Sequence, residues 1–276
     1  MSEDGVEPSQ ATVGLTLPAR AENVTLVRHA LAGLAAALDA DESAVADLKT
    51  IVTEACMNVC THAYDGEEGP LEVRAWGDQS SLTVRIRDQG AGIRPTADNG
   101  RKSLRLGLPL IAALTSDFEI KGGPGRGTEV RMSISLQPGA DGALPTVAEP
   151  VASPTGTEID VPAGQFVGPI LSRVVSMTAT RANFSIDRLS DAVLLSDALA
   201  TNSPQDFDDG TARISIEQQA QEFMLRVGPL VKGSGQRFLE RLMIPEIGAS
   251  LEALADETEV ESVDGHDYVR LRICAG

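Results

Sequence analysis

Apolar and polar residues alternate in several short runs of this chain. Val13–Leu17, Leu71–Trp76, Ser81–Arg87, Asp117–Lys121 and Thr128–Leu136 all have the two-residue period of a half-buried strand. Between the first two runs the period changes. Val24, Val27, Leu31, Leu34 and Leu38 fall on one helical face, which predicts a helix over 22–38. Asp41 or Ser43 caps a second helix running to about His62, with Val45, Leu48, Ile51, Val52, Ala55, Cys56 and Val59 as its apolar set. A short helix is expected over Leu106–Leu114. Gly66–Pro70 and Gly122–Gly127 read as tight turns, and 94–105 as a polar loop. Two helices, then strands with one late helix, predict an α/β fold of the α+β sandwich type: one mixed sheet with helices on one face.

The second half repeats this outline. Helices are expected over 170–180 and 185–200, paired strands over 211–218 and 222–227, a helical stretch over 237–254 broken near Pro245, and closing strands over 257–263 and 268–274. Val84-Arg85-Ile86 finds a counterpart in Leu225-Arg226-Val227, and Val130-Arg131-Met132 in Val269-Arg270-Leu271. Residues 138–163, rich in Gly, Pro, Ala and Thr, read as a linker between a first domain at 12–137 and a second at 164–276. An unrelated α/β domain of matching element order is the other reading of the second half.

The 276 residues are 42% hydrophobic and only 3% aromatic, so both cores must be built from Leu, Val, Ile and Ala. A net charge of -17 argues against a direct nucleic-acid partner, which would need a basic face. Residues 141–276 carry a net -11 against -6 for 1–140, a surface suited to solubility or to a basic protein partner. Three cysteines, Cys56, Cys60 and Cys274, make no disulfide framework and fit a reducing cytoplasm. The acidic start, Met1-Ser2-Glu3-Asp4-Gly5, is no signal peptide, and no apolar run has membrane-spanning length.

The most chemical stretch is Asp88-Gln89-Gly90-Ala91-Gly92-Ile93, directly after a strand. A carboxylate accepts a hydrogen bond from an amino group, and glycines one residue apart let backbone approach a ligand. The plain alternative is a chain-reversing Asp-Gly turn. On the second helix, Glu54 and Asn58 are four residues apart and share a face. A carboxylate can take a proton and an amide oxygen is a hard ligand for Mg²⁺; a solvated helix edge explains the same spacing. Cys56, Cys60 and His62 have metal-ligand chemistry, but the apolar neighbours of the two cysteines make buried packing the simpler account, as for Trp76 on the sheet, and His62 is favoured electrostatically at a helix C-terminus.

Glu54-Ala55-Cys56-Met57-Asn58, the Asp88 box, Leu106-Gly107-Leu108-Pro109 and Gly125-Arg126-Gly127-Thr128 stand in one order. Over about residues 12–136 this series resembles the GHKL (Bergerat-type) ATPases, and within them the bacterial anti-sigma factors that are also serine-protein kinases. The resemblance implies ATP and Mg²⁺ as cofactors, with Asn58 on the metal and Glu54 polarising the attacking hydroxyl. It implies that Asp88 accepts the adenine amino group, that Gly90, Gly92 and Ile93 border the nucleotide, and that 94–105 form a lid. Gly107 and Leu108, at a helix start, would receive phosphates, and Gly127 and Thr128 would support the adenine end. Ser103-Leu104-Arg105 departs from the family's glycine-rich lid end: Arg105 either clamps a phosphate or obstructs closure.

The partners implied are a sigma factor and/or an anti-sigma-factor antagonist, with serine/threonine-protein kinase activity towards the latter. The family's dimers make a homodimer, or a pseudo-dimer within one chain, the expected assembly. A non-catalytic, nucleotide-responsive interaction module is the alternative, and a detached histidine kinase domain with His29 as acceptor a more distant one. In the second half the Asp88 position falls on Pro229, Gly90 on Val231, and the Gly127-Thr128 pair on His266-Asp267, while Asp197 and Thr201 or Asn202 stand near the Glu54 and Asn58 positions. Proline offers no acceptor, so the second half is expected to bind no ATP.

Overall fold

The structure is a computed structural model; it describes residues 10–77, 80–92, 104–136, 147–148, 156–200, 204–242 and 254–275. The first half runs β1 (Gln10–Ala11), β2 (Val13–Pro18), α1 (Ala21–Ala37), α2 (Glu42–His62), β3 (Pro70–Gly77), β4 (Ser81–Asp88), α3 (Leu104–Leu114), β5 (Asp117–Gly122) and β6 (Thr128–Ser135). After β7 (Val147–Ala148) the order recurs: β8 (Thr157–Pro162), α4 (Val167–Arg181), α5 (Ile186–Ala200), β9 (Thr211–Gln218), β10 (Glu222–Leu230), α6 (Gly235–Arg241), β11 (Glu257–Val263) and β12 (His266–Cys274). Of the two candidate caps for α2, the Asp41 carboxylate holds the helix start, accepting from the Ala44 amide at 2.7 Å.

Ten strands form one sheet in the order β11-β12-β10-β9-β8-β2-β3-β4-β6-β5, while β1 and β7 pair separately. The two five-strand halves mirror each other about the β8–β2 pair. Every neighbouring pair is antiparallel, where the sequence predicts a mixed sheet. Connectivity is the reason. Two helices between β2 and β3 make three chain reversals, so β3 returns antiparallel to β2. The single-helix crossover β4–α3–β5 does place those strands parallel, but β6 inserts between them, and β12 does the same between β10 and β11.

The residues predicted to be a linker, 138–163, contain a second correction. Thr157–Pro162 is β8, at the centre of the sheet, with Ile159 and Val161 fully buried. A six-residue strand flanked by Gly156 and ending in Pro162 is hidden by its breaker-rich surroundings. The helical stretch predicted over 237–254 is α6 at Gly235–Arg241; residues 243–253 lie outside the described set.

One face of the sheet is apolar and carries the helices: Val13, Leu15, Leu17, Leu71, Val73, Ala75, Leu82, Val84 and Ile86 are all 0–2% exposed. The seam between the halves is packed on both faces. Leu15 faces Ile159 across the β2–β8 ladder. On the helix layer, α1 lies against α4 so closely that a side-chain carbon on Gly33 would stand 2.3 Å from the Pro169 carbonyl oxygen. Arg181, ending α4, donates to the Glu22 carbonyl and, at 3.3 Å, to Asn23 Oδ1 at the start of α1. On the opposite face Gly14 leaves room for Arg74, whose guanidinium is 3.8 Å from Asp160. Asp160, 1% exposed, also receives Arg213 Nε at 2.7 Å. Burial pushes the Asp160 carboxyl up, and Arg213 and Arg74 hold it down.

Candidate functional site

The site grows from the places where α2, β4 and the β5–β6 turn end together. Along β4 the residues facing the helices are Leu82, Val84, Ile86 and then Asp88. Strand alternation thus delivers a carboxylate to the apolar face at its rim. Asp88 is 3% exposed. Its Oδ1 accepts the Gly90 amide at 2.9 Å, and the Thr128 amide and hydroxyl also donate to it. Burial raises the Asp88 pKa above the ordinary aspartate value, while the bonds from Gly90 and Thr128 and the charge of Arg87 oppose the rise. Asp88 and Thr128, forty residues apart in sequence, are therefore one hydrogen-bonded unit.

The glycines serve this junction first. A side-chain carbon on Gly90 would stand 2.1 Å from the Ala63 carbonyl oxygen at the end of α2. On Gly92, at φ +71°, it would meet the Gly123 oxygen at 2.0 Å, and on Gly127, also at +71°, the Asp88 carbonyl oxygen at 2.1 Å. Hydrogen bonds fill the gaps so created: Ala91 to Ala63 at 2.8 Å, Gly125 to Ala91 at 2.9 Å and Gly127 to Gly90 at 3.2 Å. The space expected beside Gly90 and Gly92 for a nucleotide is taken, on their side-chain faces, by the protein's own backbone.

Glu54 and Asn58 lie on α2, half-buried, one helical turn apart and off the fully buried face formed by Leu48, Ile51, Val52, Ala55 and Val59. Neither side chain has a hydrogen-bond partner among the described residues. The helix packs on β4, β6 and α3, and its C-terminal end meets the Asp88 box, where the Ala91 amide donates to the Ala63 carbonyl at 2.8 Å. α3 begins at Leu104, earlier than predicted, so Arg105 and Gly107 belong to its first turn, where backbone N–H groups lack intrahelical acceptors. Leu108 packs against the core. Ile93, and with it residues 94–103 of the expected lid, lie outside the described residues. Cys56 is buried and its thiol pushed up by that burial, which fits packing; among the described residues no group of three His, Cys, Asp or Glu side chains can hold a metal.

Sequence reasoning missed Tyr64. Its hydroxyl donates to the Pro70 carbonyl at 2.5 Å and accepts the Gln89 amide at 2.9 Å, tying the end of α2 to the start of β3 and to the residue after Asp88. Its ring fills the side-chain space of Gly69. An aromatic residue just before an Asp-Gly turn, in a chain so poor in aromatics, is the signal that could have found it. Tyr64→Phe keeps the ring and loses both bonds. ATP affinity is expected to fall roughly fivefold, the worth of about one hydrogen bond in alignment of the Asp88 rim. Calorimetric titration with Mg-ATP checks this; unchanged affinity would show that the tyrosine serves the fold alone.

The model of a histidine kinase-like ATPase domain matches residues 17–134, the stretch that contains the buried Asp88, the acid and amide on α2 and the glycine-bearing β5–β6 turn. The chain is similar to the anti-sigma F factor of Caldanaerobacter subterraneus subsp. tengcongensis, 29% identical over 123 residues, covering 41% of this chain and 86% of the relative. It is also similar to the serine-protein kinase RsbW of Halalkalibacterium halodurans, 32% identical over 125 residues, 40% of this chain and 75% of the relative. The RsbW of Bacillus pumilus is 34% identical over 116 residues, 41% of this chain and 68% of the relative. The chain belongs to the histidine kinase-like ATPase family, among its anti-sigma factors and serine-protein kinases. Membership implies ATP binding and kinase-type phosphotransfer. Among the described residues no helix is long and apolar enough to cross a membrane.

Proposed function

We propose that this protein is a cytoplasmic, ATP-dependent regulator that holds a sigma factor and phosphorylates an antagonist protein on serine, with the chemistry confined to residues 12–137. The observation that carries this reading is the buried Asp88–Thr128 unit: a carboxylate fixed by three donors at a sheet rim, beside a helix that offers an acid and an amide.

Asp88 would accept the exocyclic amine of adenine, its low exposure strengthening the bond. Asn58, a hard oxygen donor, fits a Mg²⁺ site in which phosphates and water supply the remaining ligands, the usual arrangement for this ion. Bound there, the ion would offset phosphate charge. Glu54 would accept the proton of the substrate serine as its oxygen bonds to the γ-phosphorus and the bond to the ADP oxygen breaks. The first-turn N–H groups of α3, from Leu104 to Gly107, are suited to phosphate oxygens. Arg105 stands in that turn, where a cation can clamp phosphate.

In this reading residues 164–276, with β8 before them, are a second copy of the domain that has lost the site, and the chain is a pseudo-dimer joined through β2–β8 and α1–α4. Pro229 follows Val227 by two residues as Asp88 follows Ile86, in matching ladders. Asp267 takes the place of Thr128, but its oxygens already receive the Gly235 amide at 3.0 Å and the Ser262 hydroxyl at 2.8 Å. These bonds hold the Asp267 carboxyl below its ordinary pKa and close the start of α6 with the chain's own anion.

The test is to incubate the full chain with Mg-ATP and a co-expressed antagonist. Phosphoserine on the antagonist is expected, with Glu54→Gln slower by about 10²- to 10⁴-fold. Asn58→Ala should bind Mg-ATP far more weakly than wild type; equal binding by that variant would overturn the assignment.

A further inference from the structure

The second half keeps a cavity where the first half has its rim. The Val231 amide donates to the Asp206 carbonyl at 3.0 Å, and the Ala91 amide to Ala63 at 2.8 Å, so in each half a residue just after the strand is tied to the segment that follows the second helix. At the second junction lies a cavity of about 430 Å³ lined by Gln205, Asp206, Val231, Ser234, Arg237 and Arg241. Its chemistry is the reverse of the first site. The first rim presents a carboxylate; this one presents two guanidinium groups, one of them paired with the Asp206 carboxylate that also lines the cavity.

The arginines are not equivalent. Asp206 is 7% exposed and its Oδ1 accepts from Arg241 Nη2. The other oxygen, Oδ2, has no hydrogen-bond partner, so among the described residues Arg241 is the carboxylate's sole donor. Withdrawing that guanidinium would strand a buried charge, which keeps it in place. Arg241 is held again through its Nε, which donates to the Arg237 carbonyl at 3.2 Å. It is nonetheless half-exposed, with donors left over for a ligand. Arg237, one turn earlier on α6, is exposed and has no carboxylate partner among the described residues. Behind them Phe207 meets Phe238 edge-on at 5.8 Å, and Ser234 donates to the Val231 carbonyl at 2.6 Å.

We propose that this cavity is a binding site for a small polyanion, a phosphorylated or polycarboxylate compound. Arg241, positioned by Asp206, and Arg237 would be its paired donors. The fixed guanidinium geometry matches planar, bidentate recognition of such groups. The site is separate from the ATP site and does not depend on it.

The full chain, free of Mg²⁺ and at low ionic strength, is titrated calorimetrically with inorganic pyrophosphate and, in a second arm, with citrate. At least one should bind, and whichever binds better identifies the class. Arg237→Gln and Arg241→Gln should each weaken that binding by roughly tenfold, as expected for a charge-assisted pair. Asn58→Ala should leave it unchanged, which separates this site from the first. Arg237→Gln touches no buried partner, so it reads out binding even where Arg241→Gln loses stability. Absence of binding for both anions, or binding that both glutamine variants retain, would overturn the proposal.

Discussion

Asp88→Asn is expected to lower affinity for Mg-ATP by about 10- to 100-fold, the range for losing a hydrogen bond to a charged buried acceptor, while leaving the protein as stable as wild type or more so at neutral pH. Burial raises the Asp88 pKa, so the folded protein holds that proton more tightly than the unfolded chain does. The stability contributed by the protonated form is therefore complete below the ordinary aspartate value. It is lost as pH rises through the raised folded value. Asparagine is neutral throughout and its amide oxygen can still accept from Gly90 and Thr128. The stability of the variant relative to wild type should thus increase from acid to neutral pH, read by urea denaturation at a series of pH values. Wild-type ATP affinity in the variant would remove Asp88 from the site.

Gly127→Ala is expected to cost roughly 3 kcal/mol or more, because a left-handed backbone and an overlap at 2.1 Å with the Asp88 carbonyl act together. Gly125 is the internal control. It has the same φ, +71°, but open space around it, so Gly125→Ala should cost only about 1–2 kcal/mol. Denaturant unfolding of the two variants separates strain from close packing; equal losses would show that the approach of the turn to Asp88 is unimportant. Nucleotide binding should fall with Gly127→Ala even where it stays folded, because the overlap pushes on the residue that carries the acceptor.

The elements of the first half were legible because each shows its own period. Val13–Leu17 and Ser81–Arg87 alternate, and the α1 and α2 faces recur at helical spacing, so burial on one face only is written into the order of residues. The candidate residues proposed for the site were legible for a related reason. Glu54 and Asn58 are four apart on one helix, and Asp88 with its glycines is contiguous, so local geometry brings the chemistry together. What escaped was long-range. β8 is a short strand in breaker-rich surroundings, and its central place depends on pairing with β2, 144 residues away at Leu15↔Ile159. Tyr64 acts through bonds to Pro70 and Gln89 that no local pattern announces. The antiparallel sheet follows from where β6 and β12 insert, a choice made by packing rather than by either strand's own residues.

By itself, then, the sequence determined the strands and helices that show their own period and the kinds of chemistry available at the first rim, because periodicity and side-chain identity are properties of neighbouring residues. Only the tertiary structure decided that the glycines of the Asp88 box receive backbone from α2 and the β5–β6 turn, that Thr128 completes Asp88, and that both halves share one sheet through β2 and β8. Each of these joins segments distant along the chain, and such contacts form only when burial of a common apolar face outweighs the entropy of closing the loops between them.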